Sequence, residues 1–348
     1  MKDTSSRPSI KDVAAAAGVS IATVHCALYG KGRVAEGTRK RVQEAADQLG
    51  YRPNLLGRAL RNGHTNTIGV VVPVLNMGLY ADMVEGIHEA AIERDYSVLL
   101  GCSQARIERE QELVETFLAQ GVSGLLVLPV NPTHNAEFFQ KLTHSEVPHA
   151  FLHKYLPDSS WDWVTVDDFF GGEMAGEHLA SLGRRRLAFV ANHPPSGWGQ
   201  QRRAGLDQVL KTRGLPASHP LWLQEGRWDT WENGSYEATL ACFREGRRFD
   251  GVFAANDGMA FGVLRALEQC GLRVPEDVSV VGFDDVESCT RVRPSLTSFR
   301  QPMAQIGAEA VRLVLNRLEE GGAGPPQRLL LPPSLVVRKS SPTMALAP

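Results

Sequence analysis

The sequence predicts a small all-α N-terminal head carrying a helix-turn-helix, followed by an α/β body of two doubly wound parallel-sheet lobes. Three observations predict it. Charge divides unevenly along the 348 residues: residues 1–64 hold 11 Lys+Arg against 5 Asp+Glu, a net of +6, while the remainder holds 26 against 34, a net of −8. Two serine-led helix starts, at Ser9 and Ser20, flank Gly18. From Thr67 onward, β-branched runs alternate with amphipathic stretches, and the rhythm runs through twice. The whole-chain net charge of −2 conceals the first observation. Divided, it describes a basic head suited to a polyanion and a larger acidic body.

The head comes first. Ser9-Ile10-Lys11-Asp12 is an [ST]xx[DE] capping box. The helix it opens, Ile10–Ala17, places Ile10, Val13, Ala14 and Ala17 on one face, and Gly18 ends it because a left-handed residue suits glycine. Ser20 caps a second helix, Ile21 to about Tyr29. Two short helices joined by a glycine-bearing turn make a helix-turn-helix. After a loop at Gly30–Val34, a third helix over Glu36–Leu49 is expected to bury Val42, Ala45, Ala46 and Leu49 and to stop at Gly50. Ala35 has no capping hydroxyl, which weakens that start by about 1 kcal/mol. Pro53 turns Arg52 away from helix, and Asn54 caps a short segment, Leu55–Arg61. Gly57 costs that segment about 1 kcal/mol of helix propensity.

In the body, strands are expected at Ile68–Val72, Tyr96–Leu100, Gly124–Leu128, Val147–Leu152 and Trp163–Val166. Helices are expected at Leu79–Arg94, Glu108–Gln120 and 134–145. After Asp167 the pattern restarts. Helices fall at Gly171–Leu182, Gln200–Arg213, Trp231–Glu245 and Asp257–Gln269, and strands at Arg186–Ala191, Pro220–Gln224, Gly251–Ala254 and Ser279–Phe283. Open parallel sheets bind ligands beyond the carboxyl ends of their strands, so two lobes in tandem place a ligand site between them.

Other classes lack their signatures. The longest apolar runs are too short to span a bilayer, and no basic segment leading into an apolar stretch opens the chain. The five cysteines are scattered and form no CxxC pair, the pattern of reduced thiols in a cytoplasmic protein. No metal site or cofactor is expected. HExxH, GxSxG and GxxxxGK[ST] are absent, and Gly30-Lys31-Gly32 is not a dinucleotide fingerprint, so an enzyme is not expected.

The ordered series Ile10-Lys11-Asp12-Val13-Ala14, Ala17-Gly18-Val19-Ser20, Ala22-Thr23-Val24 and Gly50-Tyr51-Arg52-Pro53-Asn54 resembles the DNA-binding head of the LacI/GalR family of bacterial transcription regulators. The body resembles the sugar-binding periplasmic protein fold of the same family. Its marks are Val252-Phe253-Ala254-Ala255-Asn256-Asp257, the stretch Val274–Asp285 and Leu296-Thr297. The resemblance covers about residues 9–338. It implies a regulator, in the first instance a repressor, that binds a palindromic operator as a dimer and responds to a small polar effector such as a sugar. A solute receptor of a sugar transport system is the alternative; it leaves the basic head unexplained.

The resemblance also implies site residues. Ser20 caps the groove helix, Ile21, Ala22, His25 and Cys26 face the groove, and Thr23 lies near the phosphates. The family's usual Ser-Arg is His25-Cys26 here, so the operator preference should differ, because cysteine cannot read guanine as arginine does. Leu55–Arg61 resembles the family's hinge helix, capped by Asn54, with Leu60 as a minor-groove wedge and Arg58 and Arg61 on phosphates. For the effector, Tyr80, His153, Lys154, Arg202, Asn256 and Asp284 are implied, with Trp228 or its competitor Trp231 as an aromatic face. His153-Lys154 stands in for a common Asp-Arg, and Asp168 for a common Asn. Lys154 opens the option of an anionic ligand. Asp167, Asp285 and Asn256 could equally cap the helices that follow them. The implied domains are 1–52 head, 53–64 hinge, 65–166 with 295–320 first lobe, 167–294 with 321–340 second lobe, and a 341–348 tail. The tail has no heptads, which favours a dimer over a coiled-coil tetramer, with Leu79–Arg94 at the interface.

Overall fold

The computed structural model describes residues 8–29, 33–52, 65–76, 78–143, 145–154, 156, 160–192, 197–223, 230–321 and 324–343. It divides into two compact units, Met1–Thr65 and Asn66–Pro348.

The head unit holds α1 (Ile10–Ala17), α2 (Ile21–Tyr29) and α3 (Glu36–Leu49). At the first cap, the Ser9 amide and hydroxyl both donate to Asp12 Oδ2 at 2.7 Å. These bonds hold the Asp12 carboxyl below its ordinary range. Ser20 Oγ accepts the Thr23 amide at 3.1 Å, closing the orphaned first turn of α2. Gly18 and Gly50 take φ of +64° and +63° and end α1 and α3. Ala35 makes no capping bond. Instead, Arg39 near the start of α3 donates to the Ala27 carbonyl of α2 at 3.0 Å, so tertiary contact supports the uncapped end. Val13, Ala14, Val24, Ala27, Val42, Ala45 and Ala46 form the core. Leu49 does not join it: 38% exposed, it lies on the last turn, beyond the reach of α1 and α2.

The body unit contains two six-stranded sheets. The first has the order β11-β5-β4-β3-β1-β2 and is parallel throughout, with β1 Thr67–Val72, β2 Ser97–Cys102, β3 Gly124–Val127, β4 His149–Leu152, β5 Asp162–Val166 and β11 Arg328–Leu331. Its helices are α4 (Gly78–Ile92), α5 (Ile107–Ala119), α6 (Ala136–Leu142) and α11 (Met303–Glu319). The second has the order β12-β10-β9-β8-β6-β7, with β6 Leu187–Asn192, β7 His219–Leu223, β8 Gly251–Ala254, β9 Ser279–Asp284, β10 Thr297–Arg300 and β12 Ser334–Val336. Only β12 runs antiparallel there. Its helices are α7 (Asp168–Ser181), α8 (Gly197–Thr212), α9 (Trp231–Arg244) and α10 (Asp257–Gln269).

The chain crosses between the lobes three times, first after Val166 and then twice at residues later than the sequence implies. The segment 295–300 stays in the second lobe, because β10 pairs with β9, Thr297 opposite Val281. The first lobe resumes only after Gln301-Pro302, with α11. It then keeps 321–331, because β11 pairs with β5, Leu329 opposite Val164. The last crossing follows at 332–333. β10 escapes a hydrophobicity reading because its buried residues include Thr297 and Ser298. Ser298 Oγ donates to Asp257 Oδ1 at 2.6 Å, and the Thr297 amide to Ser340 Oγ at 2.8 Å. Ser341 likewise belongs to the second lobe and not to a tail. It is fully buried, and its carbonyl lies 2.9 Å from His178 Nε2.

One helix contact fixes the geometry of the site. α7 and α8 cross with almost no space between their backbones. A Cβ at Gly205 would lie 2.0 Å from the Phe169 carbonyl oxygen, and one at Gly172 would lie 2.0 Å from the Arg202 carbonyl oxygen. α7 begins at Asp168, three residues before Gly171, because Asp167 Oδ1 caps it by accepting the Phe170 amide at 2.9 Å. We expect Gly205→Ala to lower stability by about 2–3 kcal/mol, because the helices must part. Gly197→Ala, where a Cβ meets open space, should change it by less than about 1 kcal/mol. Denaturant unfolding of both variants measures the contrast.

Candidate functional site

In the head, the outward face of α2 is set by its inward one. Val24 and Ala27 enter the core, which leaves Ile21 and Ala22 exposed and His25 and Cys26 half-buried on the other side. Ser20 and Thr23 hold the N-terminal turn, their hydroxyls 2.9 Å apart. Asn54, Arg58 and Leu60 lie outside the described residues, as does Trp228 of the body.

In the body, five of the expected effector residues sit at or just beyond strand ends, or within the first two turns of helices that follow them. Arg202 of α8 is the anchor. It is 2% exposed. Its Nε donates to Asp168 Oδ1 at 2.8 Å and its Nη2 lies 2.7 Å from the same oxygen. Nη1 donates to the Ala255 carbonyl at the end of β8. The guanidinium lies 3.4 Å from the Phe283 ring centroid and 4.8 Å from that of Trp198. Burial raises the Asp168 carboxyl above its ordinary range, and Arg202 opposes that shift.

Asn256 follows β8. Its Oδ1 caps α10 by accepting the Met259 amide at 2.9 Å, while its Nδ2 is buried without a partner. The cap and a ligand contact therefore do not compete for the same atom. Asp284 ends β9 at φ +123°. Gln301 Nε2 donates to its Oδ1 at 2.6 Å. Burial, with the Asp257 and Asp168 charges adding, pushes the Asp284 carboxyl up to about 8 against the pull of Arg202 and Gln301.

From the first lobe come Tyr80 on α4 and His153 just past β4, their rings edge to face at 6.1 Å. Burial and the Asp284 charge raise the Tyr80 hydroxyl above its ordinary range. His153 has φ +59°, an uncommon conformation for a residue with a side chain. Burial, reinforced by the Lys154 and Arg202 cations, pushes its imidazole down to about 3 against a weak opposing contact with Gln301. It is thus neutral, and neither ring nitrogen closes a well-formed hydrogen bond.

Lys154 departs from its expected place. Its Nζ donates to the Val130 carbonyl at 3.3 Å, and Glu110 beneath supplies the counter-charge. Glu110 is fully buried, accepting the Val130 amide at 2.7 Å and Asn135 Nδ2 at 2.8 Å. The ammonium therefore has a hydrogen bond and a nearby opposite charge inside the first lobe. Trp231, half-buried beside Asn256, has a buried indole N–H without a partner. Gln301 and Asn192 were not among the expected residues. Their side-chain oxygens are buried and unpartnered. Gln301 precedes Pro302 on a crossing between lobes, and Asn192 merely ends β6, so neither carries a motif. Among the described residues no cluster of three metal-ligating side chains occurs.

Residues 9–54 match the family described as bacterial regulatory proteins, lacI family, and residues 177–341 match the periplasmic binding protein-like domain. Catabolite control protein A of Priestia megaterium is 33% identical over 313 residues, 90% of this chain and 93% of that protein. The chain belongs to the LacI family of bacterial regulatory proteins. Its head is that family's DNA-binding helix-turn-helix, and the protein is a transcription regulator, not an enzyme. A solved lac repressor dimer, bound to operator and the anti-inducer ONPF, superposes with a TM-score of 0.82 at 29% identity, covering 97% of this chain and all of that one. The transcriptional regulator CelR in complex with cellobiose gives 0.69 at 31% identity, covering 96% and 100%. No single helix among the described residues is long and apolar enough to cross a membrane.

The raised Asp284 carboxyl has a consequence for stability. Between about pH 4 and pH 8 the folded protein holds a proton there that the unfolded chain releases, so stability falls as pH rises through that window. Asp284→Asn removes this contribution. In thermal melts the variant should gain on the wild type steadily from pH 4.5 to pH 8; parallel pH profiles would contradict the assignment.

Proposed function

We propose that this LacI-family regulator represses transcription in the cytoplasm by binding a palindromic operator as a dimer, and that an uncharged polar effector, a sugar or sugar derivative, bound between its lobes controls that binding. The observation that supports it best is the set of unpartnered buried polar atoms at the strand ends. Asn256 Nδ2 and the Trp231 indole N–H are donors, the Asn192 oxygen is an acceptor, and His153 and Gln301, which face each other, add ring nitrogens and an amide oxygen. Buried polar groups without partners are costly, and a ligand rich in hydroxyls would supply the missing bonds. The nearby charges are already matched: Arg202 by Asp168, and Lys154 by Glu110. The solved CelR relative binds cellobiose, and the lac repressor relative is a dimer on operator DNA.

Ser20, Ile21, Ala22, Thr23, His25 and Cys26 would meet the major groove, with Asn54, Arg58 and Leu60 completing the DNA contact in the hinge. Tyr80, His153, Arg202, Asn256 and Asp284 would line the effector site, with Trp231 or Trp228 as its stacking ring. For the dimer, the first lobe offers exposed Ile92 at the end of α4 and exposed Leu100 on the neighbouring edge strand β2. The solute-receptor alternative has no use for the head.

A thermal-shift screen of neutral sugars, sugar acids and nucleosides should select a neutral sugar. Asn256→Ser keeps a capping oxygen and removes the Nδ2 donor. It should weaken effector binding by about tenfold to a hundredfold in calorimetry, the range for one buried hydrogen bond, and leave operator affinity in the absence of effector unchanged. Turnover of the ligand, or operator binding without sequence preference, would overturn the reading.

A further inference from the structure

The outward face of α2 has an unusual composition for a helix that meets DNA. From Ile21 to Tyr29 there is no Arg, Lys, Asn or Gln. The exposed positions at its N-terminal end are Ile21 and Ala22, and Ile21 is 44% exposed. The adjacent hydroxyls are engaged locally, since Ser20 Oγ accepts the Thr23 amide and lies 2.9 Å from Thr23 Oγ1. Among the described residues the cations of the head lie elsewhere: Lys11 on α1, Arg39, Lys40 and Arg41 on α3, with Arg39 donating to Ala27, and Arg33 and Arg52 on either side of α3.

In a helix-turn-helix, the N-terminal residues of the second helix approach base edges in the major groove. Base pairs are told apart there in two main ways. One is bidentate hydrogen bonding from Arg, Lys, Asn or Gln, and the other is apolar contact with the thymine C5 methyl. The first has no side chain on this face. The second has two, placed at the end of the helix that enters the groove. Cations on the other elements neutralise phosphates, which adds affinity without sequence information.

We infer that this protein reads each operator half-site chiefly through thymine C5 methyls packed against Ile21 and Ala22. The inference rests on the operator-binding reading above and adds the chemistry of recognition to it. His25 contributes at most one hydrogen bond to a base edge, and Cys26 a small, weakly polar surface. Thymine-bearing positions beneath the N-terminus of α2 therefore carry the selectivity. A G·C pair at those positions loses the methyl contact and gains nothing from this face.

The test uses the full-length protein and a symmetric operator obtained by selection from random duplexes. Each thymine of the half-site is then replaced by deoxyuridine, which keeps the pairing and O4 and lacks only the methyl. At one or two positions per half-site, affinity should fall about fourfold for each methyl removed, the value for burying one such group. Ile21→Ala should weaken binding to the thymine operator and reduce its sensitivity to deoxyuridine at the position that Ile21 covers, leaving the position beneath Ala22 sensitive. Ile21 is exposed, so circular dichroism should show the head unchanged. Selective binding with every deoxyuridine neutral would overturn the inference and leave the operator reading standing. Loss of all sequence selectivity would overturn both.

Discussion

A guanidinium buried between four structural elements sets the geometry of the body's second lobe. Arg202 could not stay charged there alone, since removing an ion from water costs several kcal/mol even after relaxation. Asp168 supplies the counter-charge, the Ala255 carbonyl takes another N–H, and Phe283 offers its ring face. Each partner lies on a different element: α7, the end of β8, and β9. The pair can form only because Gly172 and Gly205 let α7 and α8 touch backbone to backbone. Two glycines thus decide where a charge can be buried, and the charge in turn fixes where Asn256 and Asp284 emerge at the neighbouring strand ends.

The cleft is accordingly a place of matched charge and unmatched hydrogen-bonding capacity. Arg202 and Lys154 are each answered from within the protein. Burial keeps His153 neutral and favours a protonated Asp284. What remains open is a set of single donors and acceptors from both lobes, with His153 on one side and Asn256 and Gln301 on the other. Strain collects at the same strand ends, where His153, Asp284 and Asp285 all have positive φ. Such conformations cost about 1–3 kcal/mol each and persist where the surroundings fix them. A ligand that bonds to both sets of groups stabilises one relative position of the lobes. That differential affinity is the physical requirement for control at a distance.

Much of the architecture was legible because its signals are local. Caps at Ser9 and Ser20, glycine stops at Gly18 and Gly50, and alternating strands and helices located most elements to within a few residues. β10 was hidden because Thr297 and Ser298 satisfy their polar groups through distant Ser340 and Asp257, contacts that no periodicity reveals. The late second crossing followed from that omission, and the late third from β11, which pairs with distant β5. In the candidate site, family motifs pointed to Arg202, Asn256 and Asp284. Gln301 was not, since its role comes from lying beside Asp284 across a turn of chain. The surroundings of Lys154 were hidden too: adjacent to His153 in sequence, it meets Val130 and the Glu110 charge, which only the fold brings near.

The central claim is that the cleft and the operator-binding head are thermodynamically linked. The most direct measurement is a reciprocal titration of the wild-type protein at fixed salt. Operator affinity is measured with and without saturating effector, and effector affinity with and without saturating operator. Linkage requires the two ratios to be equal, and coupling of this kind is typically about 5- to 150-fold. Equal ratios in that range are predicted. An effector that binds the cleft tightly while operator affinity stays the same would contradict the account.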